Sequence, residues 1–307
     1  MIRVSSENKS QLCSVSGHAL WQWWQWACEC IPEAEKNTGR AELKRFLLAL
    51  SDLTPLDLAL HTYQSQPSVA LRLPLAVLSD RWRQRWQERI PLQYLIGRAY
   101  WRHLELTVTP GVLIPRPETE ELLDWLARWV PRQQQQGHWL DLGTGSGAIA
   151  LGLAHLWPQV QVHAVDQSPD ALAVAQINIQ RYQMVERIHC HQGNWFEPIA
   201  HLKGQVQGIV SNPPYIPTAL LAHLQPEVQY HEPHLALDGG RDGLTAVRHL
   251  VQTAPEYLLP HGWLFIELMA GQGEAAMAIA MATHGYQAVQ ILPDLNQQDR
   301  FLMAQRR

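Results

Sequence analysis

The first third of the chain carries hydrophobic residues at the three- and four-residue spacing of helices. In "AELKRFLLALSD", Leu43, Phe46 and Leu50 fall on one helical face, and "LPLAVLSDRWRQRWQERI" repeats the pattern. The tryptophan-rich stretch "ALWQWWQWACECI" also has helical spacing. Its wide aromatic face favours a packing role, with a partner-binding surface as the alternative. These patterns predict a helical domain over residues 1–90.

The period of the pattern changes near residue 100. The segment "YWRHLELTVTPGVLIP" alternates through Leu104 and Leu106 and then reaches Pro110-Gly111, which predicts a β-hairpin that turns at this dipeptide. We assign residues 91–113 to a hairpin linker between two domains. The following segment, "RPETEELLDWLARWV", returns to helical spacing.

From residue 138 onward, apolar runs of strand length alternate with helical segments. This alternation favours a mostly parallel sheet that helices cover on both faces, and therefore an α/β domain over residues 114–307. The predicted strands are "HWLDLG", "QVHAVD", "RIHCHQ", "QGIVSN" and "GWLFIEL", with "YQAVQILP" and "RFLMAQ" as candidates for the sheet edge.

Composition narrows the class of protein. Charged residues make up 17% of the chain and the net charge is 24 − 28 = −4, so the basic surface expected of a nucleic-acid binder is missing. The four cysteines lack zinc-site spacing, which favours free thiols in a reducing cytosol. No apolar run reaches the roughly 20 residues that a membrane span needs. We expect a cytoplasmic protein without a membrane segment.

Histidine pairs raise the question of a metal site. His189 and His191 alternate on a predicted strand, and His231 and His234 lie three residues apart. Neither pair has an evident third ligand, so we predict no metal site.

A glycine-rich loop, "DLGTGSG" at residues 141–147, follows the first predicted strand of the sheet. Glycines at Gly143, Gly145 and Gly147 allow a tight turn and close approach of a ligand to the backbone. Residue 148 is Ala, so the pattern departs from the dinucleotide fingerprint, and no Lys-Ser/Thr pair follows as in a P-loop. A tight turn without a ligand is the alternative.

An acidic residue, Asp166, ends the second predicted strand. A carboxylate there can accept hydrogen bonds from both hydroxyls of a ribose, although it could instead cap the helix that begins in "DQSPD". Together with the glycine loop it favours an adenosine-containing ligand, and S-adenosylmethionine (AdoMet) over NAD. Asp141 is a candidate for the ligand's ammonium group, and Asn194 and Trp195 are candidates for adenine contacts.

The turn "SNPPYIP" follows the fourth predicted strand. In a doubly wound sheet the first and fourth strands are neighbours, so Gly143 and Asn212 should face one pocket. The side-chain carbonyl of Asn212 and the backbone carbonyl of Pro213 can each accept one N–H of a conjugated amino group. Pro214 stiffens the turn, and Tyr215 offers a flat face. Alignment and fixed dipoles then suffice for methyl transfer. A rigid surface turn is the alternative.

In this order the segments resemble class I AdoMet-dependent methyltransferases and, more closely, the release-factor glutamine methyltransferases of the PrmC/HemK family. The resemblance covers nearly the whole chain. Its pieces are "PLQYLIG", "VLIPRPETEELL", "DLGTGSGAIA", "AVDQSPDALAVAQIN", "NWFEP", "IVSNPPYIP", "EPHLALDGGRDGL" and "DLNQQDRFLMAQ".

The resemblance implies a helical N-terminal domain that helps to grip the release factor, a hairpin linker and a Rossmann-like seven-stranded domain. The implied reaction is N5-methylation of the glutamine in the Gly-Gly-Gln motif of class-1 peptide chain release factors, with S-adenosylhomocysteine as the second product. We expect a monomer that acts in translation termination. The implied AdoMet contacts are Asp141, Leu142, Gly143, Thr144, Gly145, Asp166, Trp195 and Asn212; the implied substrate contacts are Asn212, Pro213, Pro214 and Tyr215, of which Asn212, Pro213 and Tyr215 are catalytic.

Three other functions stay open. A ribosomal protein is an alternative glutamine substrate, adenine-N6 methylation of nucleic acid uses a similar turn, and a binding module could keep the fold without turnover. The roles of Asn194, Glu267, Arg116 and Glu118 are also open. Asn194 stands where relatives often carry Asp, and the other three could either contact a ligand or serve the fold alone.

Overall fold

The computed structural model describes residues 13–307 of the chain. It divides into two compact units, one that ends at Ile96 and one that runs from Gly97 to Arg307. This division falls within the segment predicted as a linker. The first twelve residues of the predicted helical domain lie outside the described part of the chain. Among the described residues, no helix combines the length and apolar character that crossing a membrane requires.

The N-terminal unit is mostly helical. Leu43 and Phe46 are fully buried, as their spacing predicts, and Trp23 and Trp24 are also buried, so these tryptophans serve as core residues. Two short strands pair antiparallel beside the helices. The helices are α1 (Gly17–Glu29), α2 (Lys36–Leu50), α3 (Pro55–Leu60), α4 (Leu75–Gln87) and α5 (Leu92–Ile96); the strands are β1 (Cys13–Val15) and β2 (Val69–Leu71).

The second unit contains a two-stranded hairpin and a seven-stranded sheet. Its strands are β3 (Arg98–Trp101), β4 (Leu104–Thr107), β5 (Gln136–Leu142), β6 (Gln159–Asp166), β7 (Ile188–Gln192), β8 (Val206–Ser211), β9 (Leu258–Glu267), β10 (Tyr286–Pro293) and β11 (Asp299–Arg306). Its helices are α6 (Pro117–Trp129), α7 (Ala148–Leu156), α8 (Pro169–Arg181), α9 (Pro226–His231), α10 (Thr245–Tyr257) and α11 (Gly273–Ala282).

The order of strands in the large sheet is β10-β11-β9-β8-β5-β6-β7. The five strands from β9 to β7 pair in parallel, and β11 runs antiparallel to both of its neighbours. Successive residues point to opposite faces, so Trp139 joins one hydrophobic core with α6, α7 and α8, and Leu140 joins another with α10 and α11. The α/β prediction and its seven strands are confirmed.

The hairpin turns earlier than the sequence predicted. Trp101 pairs with Leu104, so the turn lies at Arg102 and His103, and Arg102 adopts a left-handed φ of 50°. Neither residue is a usual turn former, so the sequence carries no signal at this position. Pro110 and Gly111 do form a turn, which the Val112 amide closes by donating to the Thr109 carbonyl at 3.0 Å, but this turn follows the hairpin and does not connect its strands. Its assignment as the hairpin turn was wrong, and Gly111 lines the cleft described below.

Candidate active site

The candidate site lies where two neighbouring parallel strands end. Asp141 of β5 pairs with Val210 of β8, so the glycine loop and the Asn-Pro-Pro-Tyr turn leave the sheet at the same edge. The Ser211 hydroxyl donates to the Leu142 carbonyl at 2.6 Å and ties the two strand ends together. A Cβ atom on Gly143 would lie 4.0 Å from the backbone oxygen of Asn212.

The glycine loop has a backbone that other residues rarely adopt. Gly143, Gly145 and Gly147 have φ values of 78°, 54° and 83°, in the left-handed region that favours glycine. The amides of Gly143 and Thr144 donate to the Val165 carbonyl at 2.9 and 3.0 Å, which fixes the loop against β6. Gly143 and Gly145 consequently line the cleft with bare backbone.

Asp166 connects the glycine loop with the start of α8. Its carboxylate accepts the Gly145 amide at 2.9 Å through one oxygen and the Ser168 amide at 2.9 Å through the other. The side chain that caps α8 is that of Ser168. Burial raises the pKa of Asp166. Each carboxylate oxygen has a further lone pair, and the residue lines the cleft, so it can still accept hydroxyl donors there.

Asp141 lies behind the loop and is completely buried. Its Oδ2 accepts the Thr144 hydroxyl at 2.6 Å and the Ala150 amide at 2.9 Å, whereas Oδ1 has no hydrogen-bond partner among residues 13–307. Burial raises the pKa of Asp141 to about 7. Leu142 and Thr144 are buried beside it. These three residues shape the loop from behind, and the direct wall of the cleft comes from its glycines.

The cleft contains about 720 Å³ of empty space, including the part open to solvent. Trp195 and Asn194 line it, and the ring of Trp195 lies 3.6 Å from the position of a Cβ on Gly143. Trp195 has a left-handed φ of 49°, which is rare for a bulky residue and common in functional sites. The wall therefore combines an aromatic face, bare backbone and one carboxylate.

A second depression adjoins the cleft, and Asn212 lines both. The walls of this second depression include Tyr215 and the charged side chains of Arg116, Glu118 and Arg300. Asn212 Nδ2 donates to the Thr119 hydroxyl at 3.0 Å. From residues 13–307, neither Asn212 Oδ1 nor the Pro213 carbonyl receives a hydrogen bond.

The turn is held rigidly from its far side. Gln272 Nε2 donates to the Tyr215 carbonyl at 2.9 Å, and the Ile216 amide donates to the Leu237 carbonyl at 3.0 Å. A Cβ on Gly243 would come within 2.3 Å of the Tyr215 oxygen, so only glycine fits. This packing explains why the "ALDGGRDGL" segment accompanies the turn in the sequence.

Glu267 and Tyr215 form a hydrogen-bonded pair beside the second depression. The Tyr215 hydroxyl donates to Glu267 Oε1 at 3.3 Å, and Glu267 is only 1% exposed. Burial raises the pKa of the Glu267 carboxyl to about 7. Burial and the Glu267 carboxylate also raise the pKa of Tyr215, so its hydroxyl stays protonated.

Sequence reasoning missed two residues of this region, Thr119 and Gln272. Thr119 lies inside the quoted "IPRPETE" segment, but nothing in that segment indicated a contact with Asn212. Arg116 from the same segment forms an ion pair with buried Glu232, and so joins the start of α6 to the chain after α9.

One histidine of each predicted pair contacts another group of the chain. His234 contacts the Gln229 carbonyl at 2.9 Å, and His189 contacts the Gln161 side chain at 3.0 Å. Within the described part of the chain, no group of three or more His, Cys, Asp or Glu side chains is arranged to hold a metal ion.

Comparison with known proteins agrees with this architecture. A family model described as the methyltransferase small domain matches residues 120–222. A methyltransferase structure from Pyrococcus furiosus superimposes with a TM-score of 0.52 at 19% identity, and the match covers 72% of this chain and 98% of that one. The fold and the site together define a class I methyltransferase.

Relatives of known name are much closer in sequence. A release factor glutamine methyltransferase of Thermosynechococcus vestitus is 63% identical over 95% of this chain and 99% of the relative. One from Synechocystis sp. is 46% identical over 94% of this chain and 97% of the relative. The chain belongs to the family of release factor glutamine methyltransferases.

Proposed function

We propose that the protein transfers a methyl group from AdoMet to the side-chain nitrogen of the glutamine in the Gly-Gly-Gln motif of class-1 peptide chain release factors. One observation carries the proposal. Asn212 separates the cleft beside the glycine loop from the second depression, and its carbonyl oxygen is available for hydrogen bonding. A donor on one side and an acceptor nitrogen on the other would then meet at this residue.

The residues that line the cleft fit the methyl donor. The bare backbone of Gly143 and Gly145 leaves room for the amino-acid part, and Asp166 offers acceptors to the ribose hydroxyls. Trp195 and Asn194 would contact the adenine. Asp141 acts by shaping the loop, and because it lies behind the wall of the cleft, its Oδ1, which has no partner among residues 13–307, would reach the ammonium group through a bridging water. AdoMet supplies a methyl group on an electrophilic sulfonium.

The acceptor nitrogen needs activation because its lone pair is delocalised into the amide. Asn212 Oδ1 and the Pro213 carbonyl each accept one of its two N–H groups, which orients the nitrogen and favours its pyramidal form. The ring of Tyr215 packs against the amide plane. The N–C bond forms while the S–C bond breaks, and the surplus proton leaves the nitrogen for water after transfer. Positioning and fixed dipoles supply the rate enhancement.

Other acceptors are weaker candidates. A ribosomal protein presents the same chemical group, whereas nucleic acid is disfavoured by the net charge of −4. We also propose that the helical N-terminal unit grips the release factor. A cytoplasmic location and a monomeric state stay predictions from the sequence.

The direct test is methyl transfer from labelled AdoMet. The protein is incubated with a release factor, with a variant whose Gly-Gly-Gln glutamine is Ala, with ribosomal protein and with DNA. We expect label only on the unaltered release factor, with a gain of one methyl group on the glutamine by mass spectrometry. Equal labelling of the Gln→Ala variant would overturn the proposal.

A further inference from the structure

Thr119 is the direct partner of the Asn212 side chain. It lies in the first turn of α6 and is only 4% exposed, and its Oγ1 lies 3.0 Å from Asn212 Nδ2. The two residues are 93 positions apart in sequence. This partly buried side-chain hydrogen bond controls which way the Asn212 amide faces.

The buried carboxyl of Glu267 belongs to the same region. The Thr119 hydroxyl lowers its pKa, which opposes the larger raising effect of burial. The Tyr215 hydroxyl donates to Oε1 of this carboxyl at 3.3 Å, whereas Oε2 has no hydrogen-bond partner among residues 13–307. The hydrogen bond of the Thr119 side chain is therefore the one to the Asn212 amide.

The chemistry of the two groups gives this hydrogen bond a direction. The amide nitrogen of asparagine can only donate, so Asn212 Nδ2 donates and the Thr119 oxygen accepts. The carbonyl oxygen at the other end of the amide, Oδ1, receives no hydrogen bond from residues 13–307. Loss of the Thr119 hydroxyl would leave Nδ2 without this partner and remove the contact that fixes the orientation of the amide.

We propose that Thr119 is a positioning residue for methyl transfer, which holds the Asn212 amide with Oδ1 toward the acceptor nitrogen. The inference rests on the proposed function, because it assigns to Thr119 the orientation that the reaction needs. It adds a role for a residue that does not itself touch the transferred methyl group.

The backbone that carries Thr119 is itself fixed. Trp101 Nε1 donates to the Arg116 carbonyl at 3.0 Å, and the Arg116 side chain is paired with Glu232. The first turn of α6 is thus anchored on two sides, and a change at Thr119 that keeps its shape should leave this anchoring intact.

The test compares two substitutions of similar size. Thr119→Val keeps the shape and removes the hydroxyl, whereas Thr119→Ser keeps the hydroxyl. We expect Thr119→Val to lower kcat about tenfold, the loss that one net hydrogen bond corresponds to, with AdoMet affinity within about twofold of the unaltered protein. Thr119→Ser should recover most of the lost rate.

A double substitution separates positioning from general damage. In an Asn212→Ala background the amide is gone, so Thr119→Val should cause little further loss of kcat. An equal loss in that background, an equal loss for Ser and Val, or an unchanged kcat for Thr119→Val would each overturn the inference.

An NMR measurement without substrate keeps this test distinct from that of the proposed function. The side-chain amide protons of Asn212, assigned by their loss in Asn212→Ala, should exchange with solvent faster in Thr119→Val than in the unaltered protein. Unchanged exchange would overturn the Thr119 inference. Absence of release-factor methylation by the unaltered protein would instead overturn the proposed function.

Discussion

At the scale of single residues, some groups of the site hold its shape, and others are available to form hydrogen bonds with a substrate. Asp141 and Thr144 hold the glycine loop from behind, whereas Asn212 Oδ1 stands at the junction of the two depressions. The proposed mechanism requires little acid–base catalysis by side chains of the protein. Substitutions in the cleft should therefore affect the binding of the methyl donor, whereas substitutions that affect the acceptor in the second depression should change kcat.

Asn212→Ala should lower kcat about a hundredfold and change AdoMet affinity by less than about threefold. The lost hydrogen bond is the one that Asn212 Oδ1 accepts from the acceptor nitrogen in the transition state, and loss of one such fixed dipole costs a rate factor of this order. Single-turnover kinetics with labelled AdoMet gives the rate, and calorimetry gives the affinity. A large loss of AdoMet affinity with little change in rate would assign the residue to donor binding instead.

Asp166→Ala should weaken AdoMet binding by about ten- to a hundredfold. The substitution removes the acceptor for the ribose hydroxyls and also the partner of the Gly145 amide. Calorimetry with S-adenosylhomocysteine measures the change. Exposed Asp170, four residues further along, offers a matched control, and Asp170→Ala should bind normally. Affinity within twofold for both variants would exclude the ribose role.

At the scale of elements, the neighbouring strands β5 and β8 must pack closely for their ends to form the site. Trp139 of β5 lies in register with Gly208 of β8. A Cβ on Gly208 would come within 2.2 Å of the Trp139 ring. The absence of a side chain at Gly208 makes room for the indole in the core between the sheet and its helices.

Gly208→Ala should therefore reduce the free energy of unfolding by about 1–3 kcal/mol, the usual cost of overpacking a core. Urea denaturation measures it. The clashing atoms belong to the six-membered ring of the Trp139 indole. Gly208→Ala should therefore reduce the free energy of unfolding less in a Trp139→Phe background than alone. Simple additivity of the two substitutions would contradict this packing argument.

At the scale of the whole molecule, a row of histidines crosses three strands of the sheet. His163 is 6% exposed, and its two ring nitrogens lie 3.0 Å from nitrogens of His138 and His191. Burial, followed by the neighbouring histidines, lowers the pKa of His163 to about 3. This residue therefore links the stability of the fold to pH.

The direction of this pH dependence follows from the protonation of His163 in the unfolded and folded states. The unfolded chain protonates this histidine below about pH 6.5, and the folded protein does so only near pH 3, so its contribution to stability falls as pH falls between these values. Asp141 and Glu267 have raised pKa values and act in the opposite direction over part of this range. The contribution of His163 must therefore be measured as a difference between variants.

Between pH 7.5 and 5.5, the unaltered protein should lose on the order of 1 kcal/mol more unfolding free energy than His163→Gln. Urea denaturation at both pH values gives this difference. His223 is exposed, so His223→Gln is the control and should behave like the unaltered protein. The same pH dependence in all three proteins would show that His163 is protonated alike in both states.

The sequence by itself determined the strands of the large sheet and their order along the chain. Apolar runs of strand length and helical periodicity are local, so they identified all seven strands of the sheet and the faces of helices such as α2. The glycines of the loop are also explained locally, because the left-handed backbone at Gly143 and Gly145 favours this residue type. The positions of the glycine loop and the Asn-Pro-Pro-Tyr turn followed from the strand order of the fold class, since parallel strands end at one edge.

Only the tertiary structure decided which side chains meet. Thr119 contacts Asn212 across 93 residues, and no local pattern encodes such a pair. The burial of Asp141 depends on how α7 packs over the loop, so its position behind the cleft was not visible in "DLGTGSG". The hairpin turn at Arg102 likewise carries no turn residue, because the pairing of Trp101 with Leu104 fixes it. Periodicity indicates only which face of an element each residue occupies. These contacts arise when distant segments of the chain pack together.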